Sequence, residues 1–168
     1  MATRLEMKIY PDPILRQETR QLTRTEITSK DFGQLLLDME LTMSEEKGIG
    51  LAAPQIGKSI RLALVKTDEG VLPLINPRIL RKSFKKELSE EGCLSIPKVY
   101  GNIKRSTSIT VEIEDKDGKK VKFKAKGLFA RVILHEVDHL DGVLFIDKAK
   151  EITEGRALLQ EMKNRSNE

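Results

Sequence analysis

The chain has 168 residues, enough for one domain with a hydrophobic core and too few for two ordinary domains. Its composition, 39% hydrophobic and 33% charged, is typical of a soluble globular protein, and no apolar run is long enough to span a bilayer. The single cysteine excludes an internal disulfide, and the N-terminus lacks the apolar core of a signal peptide. We therefore expect one catalytic domain, residues 1–168, in the cytoplasm.

The charge balance is mildly basic, with a formal net charge of +4. One local group of cations stands out: Arg78, Arg81, Lys82, Lys85 and Lys86. We interpret this group as a solvated face, with a polyanionic partner such as ribosomal RNA as the alternative. Aromatic residues make up only 4% of the chain and tryptophan is absent, so base stacking and specific DNA binding are not expected.

The first elements in chain order are an extended arm and a helix. Residues 1–24 are predicted to form the extended arm, in which Pro11 and Pro13 each bias the preceding residue away from helix. An apolar stripe predicts a helix over residues 29–45, in which Thr28 and Asp31 resemble a capping box and Gly48 ends the helix.

A run of small residues, 48–57, follows this helix. Its closely spaced glycines indicate a backbone that turns sharply or approaches another group closely. The run matches neither a dinucleotide-binding fingerprint nor a P-loop, so phosphate binding is not supported. A tight helix-to-strand turn without a functional role is the alternative interpretation of residues 48–57.

The middle of the chain is predicted to be mainly β-structure. Short strands are expected at residues 60–66 and 71–75, the second ending at Asn76-Pro77. The clearest hairpin joins residues 108–114 to 121–125 through Asp117-Gly118.

A helix carrying a histidine motif follows the hairpin, and a last amphipathic helix is predicted over residues 151–163, before a polar tail. No βαβ alternation appears. The expected fold class is therefore α+β, with antiparallel β-strands packed around a central helix that carries the H-E-x-x-H motif, and with a C-terminal helix.

The motif H-E-V-D-H occupies residues 135–139 and contains the only two histidines of the chain. On a helix, His135 and His139 lie one turn apart on one face, where both can bind one divalent metal. Both also continue an apolar stripe, so two hydrogen-bonded core histidines are the alternative. A catalytic site of this kind keeps three protein ligands and an open position for water, and the only cysteine, Cys93, is the candidate third ligand.

A Cys/His/His site of this kind predicts amide hydrolysis. The metal lowers the pKa of its bound water and polarises the carbonyl, and Glu136 takes the proton of that water and passes it to the leaving amine. The tetrahedral intermediate needs hydrogen-bond donors for its oxyanion, for which Gln55 and the backbone N–H of Leu94 are the candidates. Fe(II), Co(II) and Zn(II) are all compatible with these ligands.

Three segments together resemble the signature motifs of peptide deformylase. They are G-x-G-L-A-A-x-Q at residues 48–55, E-G-C-L-S at 91–95 and H-E-x-D-H-L at 135–140. They occur in the family's order, and the resemblance covers essentially the whole chain. It implies a metal-dependent hydrolase that removes the formyl group from the N-terminal formylmethionine of newly made proteins and releases formate.

The resemblance also implies roles for individual residues. Cys93, His135 and His139 would bind the metal, Glu136 would be the general acid and base, and Gln55 with the amide of Leu94 would stabilise the oxyanion. The implied metal in the cell is Fe(II), with Zn(II), Ni(II) or Co(II) in purified protein. The implied partners are N-formylmethionyl peptides and nascent chains.

Substrate contacts follow from the same resemblance. Ile49 and Gly50 would line the site and pair with the peptide backbone, and the methionine side chain would enter a pocket formed partly by Leu128, Val132 and the ring of His135. Two positions depart from the common pattern: Leu134 stands where many relatives carry Gln, and Arg131 lies near the expected pocket wall. We expect Arg131 to project into solvent, with a narrowed pocket as the alternative.

A buried acid next to the ligands needs a partner, and for Asp138 we predict Arg105. The alternative enzyme is a metallopeptidase that cuts internal peptide bonds. A further alternative is a regulatory or ribosome-binding module without catalysis, but such a module does not need Glu136 beside an open metal position. Docking on the ribosome through cationic segments and the C-terminal helix is a separate hypothesis.

Overall fold

Two antiparallel β-sheets form the framework of a computed structural model of the chain, which describes residues 1–165. The larger sheet has the strand order β1 (Gly50–Ala52), β2 (Leu62–Thr67), β3 (Gly70–Lys82), β6 (Ser108–Glu114), β7 (Lys120–Lys126). The smaller has the order β4 (Lys86–Cys93), β5 (Ile96–Ser106), β8 (Glu151–Glu154). The helices are α1 (Arg24–Ile27), α2 (Lys30–Glu45), α3 (Gly127–Leu140), α4 (Phe145–Lys148) and α5 (Arg156–Arg165). The predicted α+β fold is confirmed.

The two long helices lie on opposite faces of the larger sheet. Successive side chains of a strand point to opposite faces, so Ala63 and Val65 of β2 pack in the core that contains α3. Leu62 and Leu64 of the same strand pack in a separate core with Met39 of α2. The helix predicted to be central is therefore α3, buried between the larger sheet and residues of β5.

The predicted helix over residues 29–45 is confirmed closely by α2, although different residues form its two ends. Ser29 rather than Thr28 is the N-cap, and its hydroxyl accepts a hydrogen bond from the N–H of Phe32 at 3.1 Å. The helix ends at Glu45, before Gly48, because Lys47 adopts a left-handed φ of 56°.

Strand β3 is longer than predicted, so the expectation that Asn76-Pro77 ends it is wrong. A β-bulge between Ile75 and Arg78 absorbs the proline, after which pairing with β6 resumes. Asn76 has a φ of 48° and is held there by two hydrogen bonds of 2.8 Å between its side chain and the backbone of Leu22. Local sequence patterns could not predict these contacts, because the two residues are 54 positions apart. The hairpin of β6 and β7 is confirmed in full register.

The two ends of the chain differ from their predictions in part. The N-terminal arm contains a 3₁₀ turn at Pro13–Arg16 and then α1. The predicted last helix begins too early: Glu151–Glu154 is β8, which pairs with β5, and Gly155 at φ 77° separates it from α5. Of the predicted polar tail, residues 166–168 lie outside the described part. No helix within residues 1–165 is both long and apolar enough to cross a membrane.

Candidate metal centre and catalytic site

Helix α3 presents the histidine motif from a well-defined C-terminal end. Gly142 adopts a φ of 72°, and its N–H bonds to the carbonyl of His139 at 3.2 Å, while the N–H of Val143 bonds to the carbonyl of Asp138 at 2.9 Å. These two bonds form a Schellman motif, so Gly142 terminates the helix. A side chain at this glycine would collide with the backbone of Arg16, since a Cβ there would lie 2.5 Å from that carbonyl oxygen.

The three predicted metal ligands lie together. One ligand atom from each of Cys93, His135 and His139 falls within 4.8 Å of the other two. The Sγ of Cys93 lies 3.2 Å from Nε2 of His139, and the two imidazole centroids are 5.0 Å apart. Cys93 is brought to α3 by the end of β4, where a bulge precedes the turn into β5.

A carboxylate that the sequence analysis missed fixes the orientation of His135. Nδ1 of His135 lies 3.3 Å from Oε1 of Glu91, which leaves Nε2 facing the other ligand atoms. A carboxylate on the far nitrogen of a histidine is the usual support of a metal-binding imidazole. The position of Glu91 in the same motif as Cys93, two residues before it, was the available signal.

The predicted pair of Arg105 and Asp138 is present, at 2.8 Å between Nη1 and Oδ2. Arg105 also binds Glu91 through its Nε, at 2.9 and 3.0 Å from the two carboxylate oxygens. Lys148 of α4 approaches the other oxygen of Asp138 at 2.7 Å. The side chains of Arg105 and Glu91 are only 4% and 7% exposed, so this arginine joins a buried carboxylate to that of Asp138, which is 13% exposed.

The expectation that Arg131 projects into solvent is wrong. Its guanidinium donates to the carbonyl of Glu87 at 2.7 Å, to the carbonyl of Ile103 at 3.1 Å and to Oε2 of Glu91 at 3.3 Å. Arg131 thereby ties α3 to both β4 and β5. The sequence could not reveal this, because the acceptors are two backbone carbonyls and a residue 40 positions away.

Glu136 is buried, with 4% of its surface exposed, and lies against strand β1. A Cβ at Gly50 would lie 2.2 Å from Oε1 of Glu136, so the glycine makes room for the carboxylate. The other oxygen, Oε2, has no hydrogen-bond partner within residues 1–165. Burial raises the pKa of Glu136 to about 7, against the opposing effect of the charges on His135 and Arg105.

Gln55 is buried in a 3₁₀ turn, Ala53–Ile56, that follows β1. Its Oε1 accepts a hydrogen bond from the N–H of Ala52 at 2.8 Å, which directs the amide nitrogen the other way. That nitrogen donates to Oγ of Ser95 at 3.2 Å and lies 3.5 Å from Sγ of Cys93. The amide is therefore fixed beside the candidate ligand.

A cavity of about 550 Å³ opens over this group. All four residues predicted to bind substrate line it, together with the predicted catalytic residues: Ile49, Gly50, Leu128, Val132, Gln55, Leu94 and Glu136. Cys93 and His135 also reach its wall, whereas His139 lies beneath it with 1% exposure. Ile49 and Leu128 are half or more exposed, at 50% and 67%, and form part of the rim.

The residues present fit a divalent metal. One sulfur and two imidazole nitrogens are a donor set for Zn(II), Fe(II) or related ions. The surroundings of the group also favour a positive charge: burial lowers the pKa of His135, yet Cys93, Glu91 and Glu136 together raise it to about 10. The pKa of the more deeply buried His139 is lowered by burial and by the charge of His135, so its imidazole is neutral, as a ligand must be.

A Cys/His/His group with both histidines on one helix, beside a buried glutamate and at the floor of an open cavity, is typical of metal-dependent hydrolases. The sequence pattern of the family Polypeptide deformylase matches residues 5–155. A peptide deformylase of Dictyoglomus thermophilum is 43% identical over 148 residues, which cover 88% of this chain and 94% of that protein.

Solved structures agree with this match. The crystal structure of peptide deformylase from Thermotoga maritima superimposes with a TM-score of 0.83 at 36% identity, covering 88% of this chain and 98% of that one. The Met-Ala-Ser bound class I type b peptide deformylase from Acinetobacter baumannii gives a TM-score of 0.83 at 32% identity, covering 88% and 99%.

The chain belongs to the polypeptide deformylase family. This confirms the resemblance drawn from the three motifs, and with it the predicted enzyme class and activity, the metal-dependent removal of formyl groups. The alternative of an internal peptide-bond protease is not supported.

Proposed function

We propose that Glu136 is the general acid and base of deformylation in this chain. The observation that carries this proposal is its position: a buried carboxylate on the cavity wall, adjacent in sequence to His135 and without a hydrogen-bond partner for Oε2 among residues 1–165. A pKa of about 7 suits a group that must both take and give a proton near neutral pH. Oε2 would take a proton from the attacking water and deliver it to the nitrogen of methionine as the C–N bond breaks.

Cys93, His135 and His139 would hold the metal, with Glu91 supporting His135 from behind. When bound, a divalent ion supplies Lewis acidity, which polarises the formyl carbonyl and lowers the pKa of a water molecule. The donor set accommodates several ions. We expect Fe(II) in the cell and Zn(II), Ni(II) or Co(II) in purified protein.

Gln55 would stabilise the oxyanion. Its amide nitrogen is directed towards Cys93 by the hydrogen bond that holds its oxygen, so it needs no reorganisation during the reaction. The backbone N–H of Leu94, next to the candidate ligand and on the cavity wall, would be the second donor.

The substrate would bind as an extended peptide beside β1. This strand is at the edge of the larger sheet, so Ile49 and Gly50 can add a peptide to its free side. Leu128 and Val132 would form one wall of the methionine pocket. A relative binds Met-Ala-Ser, which supports a peptide that begins with methionine. We expect the partners to be N-formylmethionyl peptides and nascent chains in the cytoplasm.

Formate release from formyl-Met-Ala-Ser by anaerobically purified protein tests this function. The wild type should release formate, and Glu136→Gln should lower kcat by about 10²–10⁴-fold because the amide cannot take a proton. Metal content should stay at the wild-type level. Equal rates for both proteins would refute the role of Glu136, and an iron-loaded wild type without formate release would refute the proposed reaction.

Contact with the ribosome is a second proposal, suggested by the basic segments and the C-terminal helix. Deleting residues 156–168, which leaves β8 in place, should weaken co-sedimentation with ribosomes. Because Leu159 and Met162 of α5 are buried, formate release by the truncated protein must be retained as a control for folding. Co-sedimentation at the wild-type level would exclude α5 as the contact.

A further inference from the structure

One half of the larger sheet is covered on only one face. Helix α3 packs against the inner face across its width, with Val111 of β6 and Ala125 of β7 in that core. On the outer face, α2 covers β1, β2 and the first half of β3, as far as Ile75. Among the described residues, the core on that outer side contains none from β6 or β7.

The outer face beyond α2 is cationic. Because paired residues of neighbouring strands point to the same side, the register places these outward side chains together: Lys120, Lys122, Lys124 and Lys126 of β7, Ser108, Thr110, Glu112 and Glu114 of β6, and Arg78 and Arg81 of β3. Six cations stand against two carboxylates, an excess of four charges that equals the net charge of the whole chain, +4.

The two carboxylates lie at one end of this face. Glu112 sits 3.6 Å from Nζ of Lys120 and 3.5 Å from Nζ of Lys122, so its charge is already matched. Glu114 accepts a hydrogen bond from Asn76 at 3.1 Å. Both carboxylates of the face therefore already have partners at this end.

The other end, which we call the cationic half-face, consists of Arg81, Ser108, Thr110, Lys124 and Lys126. Thr110 is paired with Arg81 on one side and with Lys124 on the other, and Ser108 is paired with Lys126. The three strands thus set the hydroxyl group of Thr110 between two cations and that of Ser108 beside one, with no carboxylate at these register positions. Lys124 and Lys126 are exposed.

We propose that the cationic half-face binds the phosphate backbone of RNA. Lysine, arginine and hydroxyl side chains are the usual protein partners of phosphate and sugar oxygens. Alternate residues of a strand lie about 6.8 Å apart and neighbouring strands about 4.8 Å apart, so the half-face is a flat array of donors rather than a pocket for one small anion. The hydroxyl groups of Ser108 and Thr110 can also contact the 2′-hydroxyl that distinguishes RNA from DNA.

The residues of the half-face argue against other partners. None of its five residues is aromatic or aliphatic. The exposed Phe84, three positions after Arg81, is a single apolar side chain, too little for a membrane anchor or for the hydrophobic centre of a protein interface. The half-face itself also has no ring on which a base could stack. Binding should therefore be independent of RNA sequence and strongly dependent on salt.

One end of the half-face leads directly into the helix that lines the catalytic cavity. Strand β7 ends at Lys126, and the chain enters α3 at once, so the rim residue Leu128 follows only two positions later. Bound RNA would hold the enzyme with its peptide entrance close by. An enzyme that acts on newly made chains gains from such placement, because these chains emerge from an RNA-rich particle.

Fluorescence anisotropy with a short labelled RNA duplex tests the proposal on the intact metal-loaded protein. The wild type should bind at low salt, and Lys124→Glu/Lys126→Glu should weaken binding by about tenfold or more and reduce the slope of log K against log salt by about 2. Lys104→Glu/Lys150→Glu, with Lys104 in β5 and Lys150 just before β8, changes net charge equally and should keep near wild-type affinity. All variants should release formate at the wild-type rate.

Three results would overturn the proposal: no RNA binding by the wild type at low salt, an equal loss in both double variants, or binding to anionic phospholipid vesicles or a DNA duplex at least as tight as to RNA. If charge reversal disturbs folding, as reported by formate release, Lys124→Gln/Lys126→Gln removes the two charges without adding repulsion. Unchanged RNA affinity in that folded variant would equally refute the role of the half-face.

Discussion

Helices α2 and α3 lie on opposite faces of one sheet, yet only α3 carries chemistry. Both bury one face: α2 buries Met39 and Met43, which are at most 2% exposed, whereas α3 also carries the polar side chains of Asp138 and His135, which are only 13% and 12% exposed. Burial of apolar side chains stabilises a helix directly, whereas buried charged groups cost free energy unless they find partners. The difference between the helices therefore lies in what faces them from outside the larger sheet.

For α3 the partners come from the smaller sheet. Arg105 of β5 lies between Asp138 of the helix and Glu91 of β4, and Glu91 in turn supports His135. These contacts lower the pKa of Glu91 although burial by itself raises it, so its carboxylate stays charged. Helix α2 has no such neighbour and needs none, which makes it a scaffold element.

The largest effect is expected for Arg105→Ala, which removes the cation that supports the polar side chains of α3. Removing the guanidinium leaves the buried Glu91 with only the longer contact to Arg131, and Asp138 with only Lys148. We expect a loss of about 3–5 kcal/mol in the free energy of unfolding. Metal affinity should also fall by about 10–100-fold, since the support of His135 is lost. Urea denaturation and the metal content after dialysis measure the two effects.

Arg20→Ala is the matched control for this experiment. Arg20 also pairs with a carboxylate, Glu26, but its side chain is 58% exposed, so its loss should cost less than about 1 kcal/mol and leave metal binding unchanged. Equal destabilisation by the two substitutions would show that the buried cluster is not what allows α3 to carry charges.

On the opposite face of the larger sheet, Met39→Ala should lower stability without changing the rate of deformylation. Met39 is fully buried between α2 and the sheet, and its truncation should cost about 2–5 kcal/mol of unfolding free energy. At a temperature where the variant remains folded, kcat/KM for formyl-Met-Ala-Ser should match the wild type. Leu37→Ala, at a position that is 52% exposed, should change stability by less than about 0.5 kcal/mol. A large fall in kcat/KM for Met39→Ala would contradict the view of α2 as a scaffold.

The two helices also differ in how far the sequence predicted them. Both appeared from local periodicity, and the ligand set followed from residue types and motif order, because those signals lie within a few residues. The partners of α3 did not appear: Glu91 lies 44 positions from His135 and Arg131 bonds across 40 positions, contacts that arise only when β4 and β5 pair. Only the bond of Arg105 to Asp138 was anticipated, from the rule that a buried acid needs a cation.

The smallest predicted effect concerns the C-terminal ends of α2 and α3, which form the same Schellman motif with different residues. Helix α3 ends on Gly142 at φ 72°, whereas α2 ends on Lys47 at φ 56°, with the N–H of Gly48 bonded to the carbonyl of Met43 at 2.9 Å. A side chain strains the left-handed conformation, so Lys47→Gly should stabilise the protein by about 0.5–1 kcal/mol, after allowing for the greater freedom of glycine in the unfolded chain. Lys30→Gly, in the first turn of α2, should instead destabilise it by up to about 1 kcal/mol. Urea midpoints that move in the same direction for both variants would show that the conformation of Lys47 costs nothing.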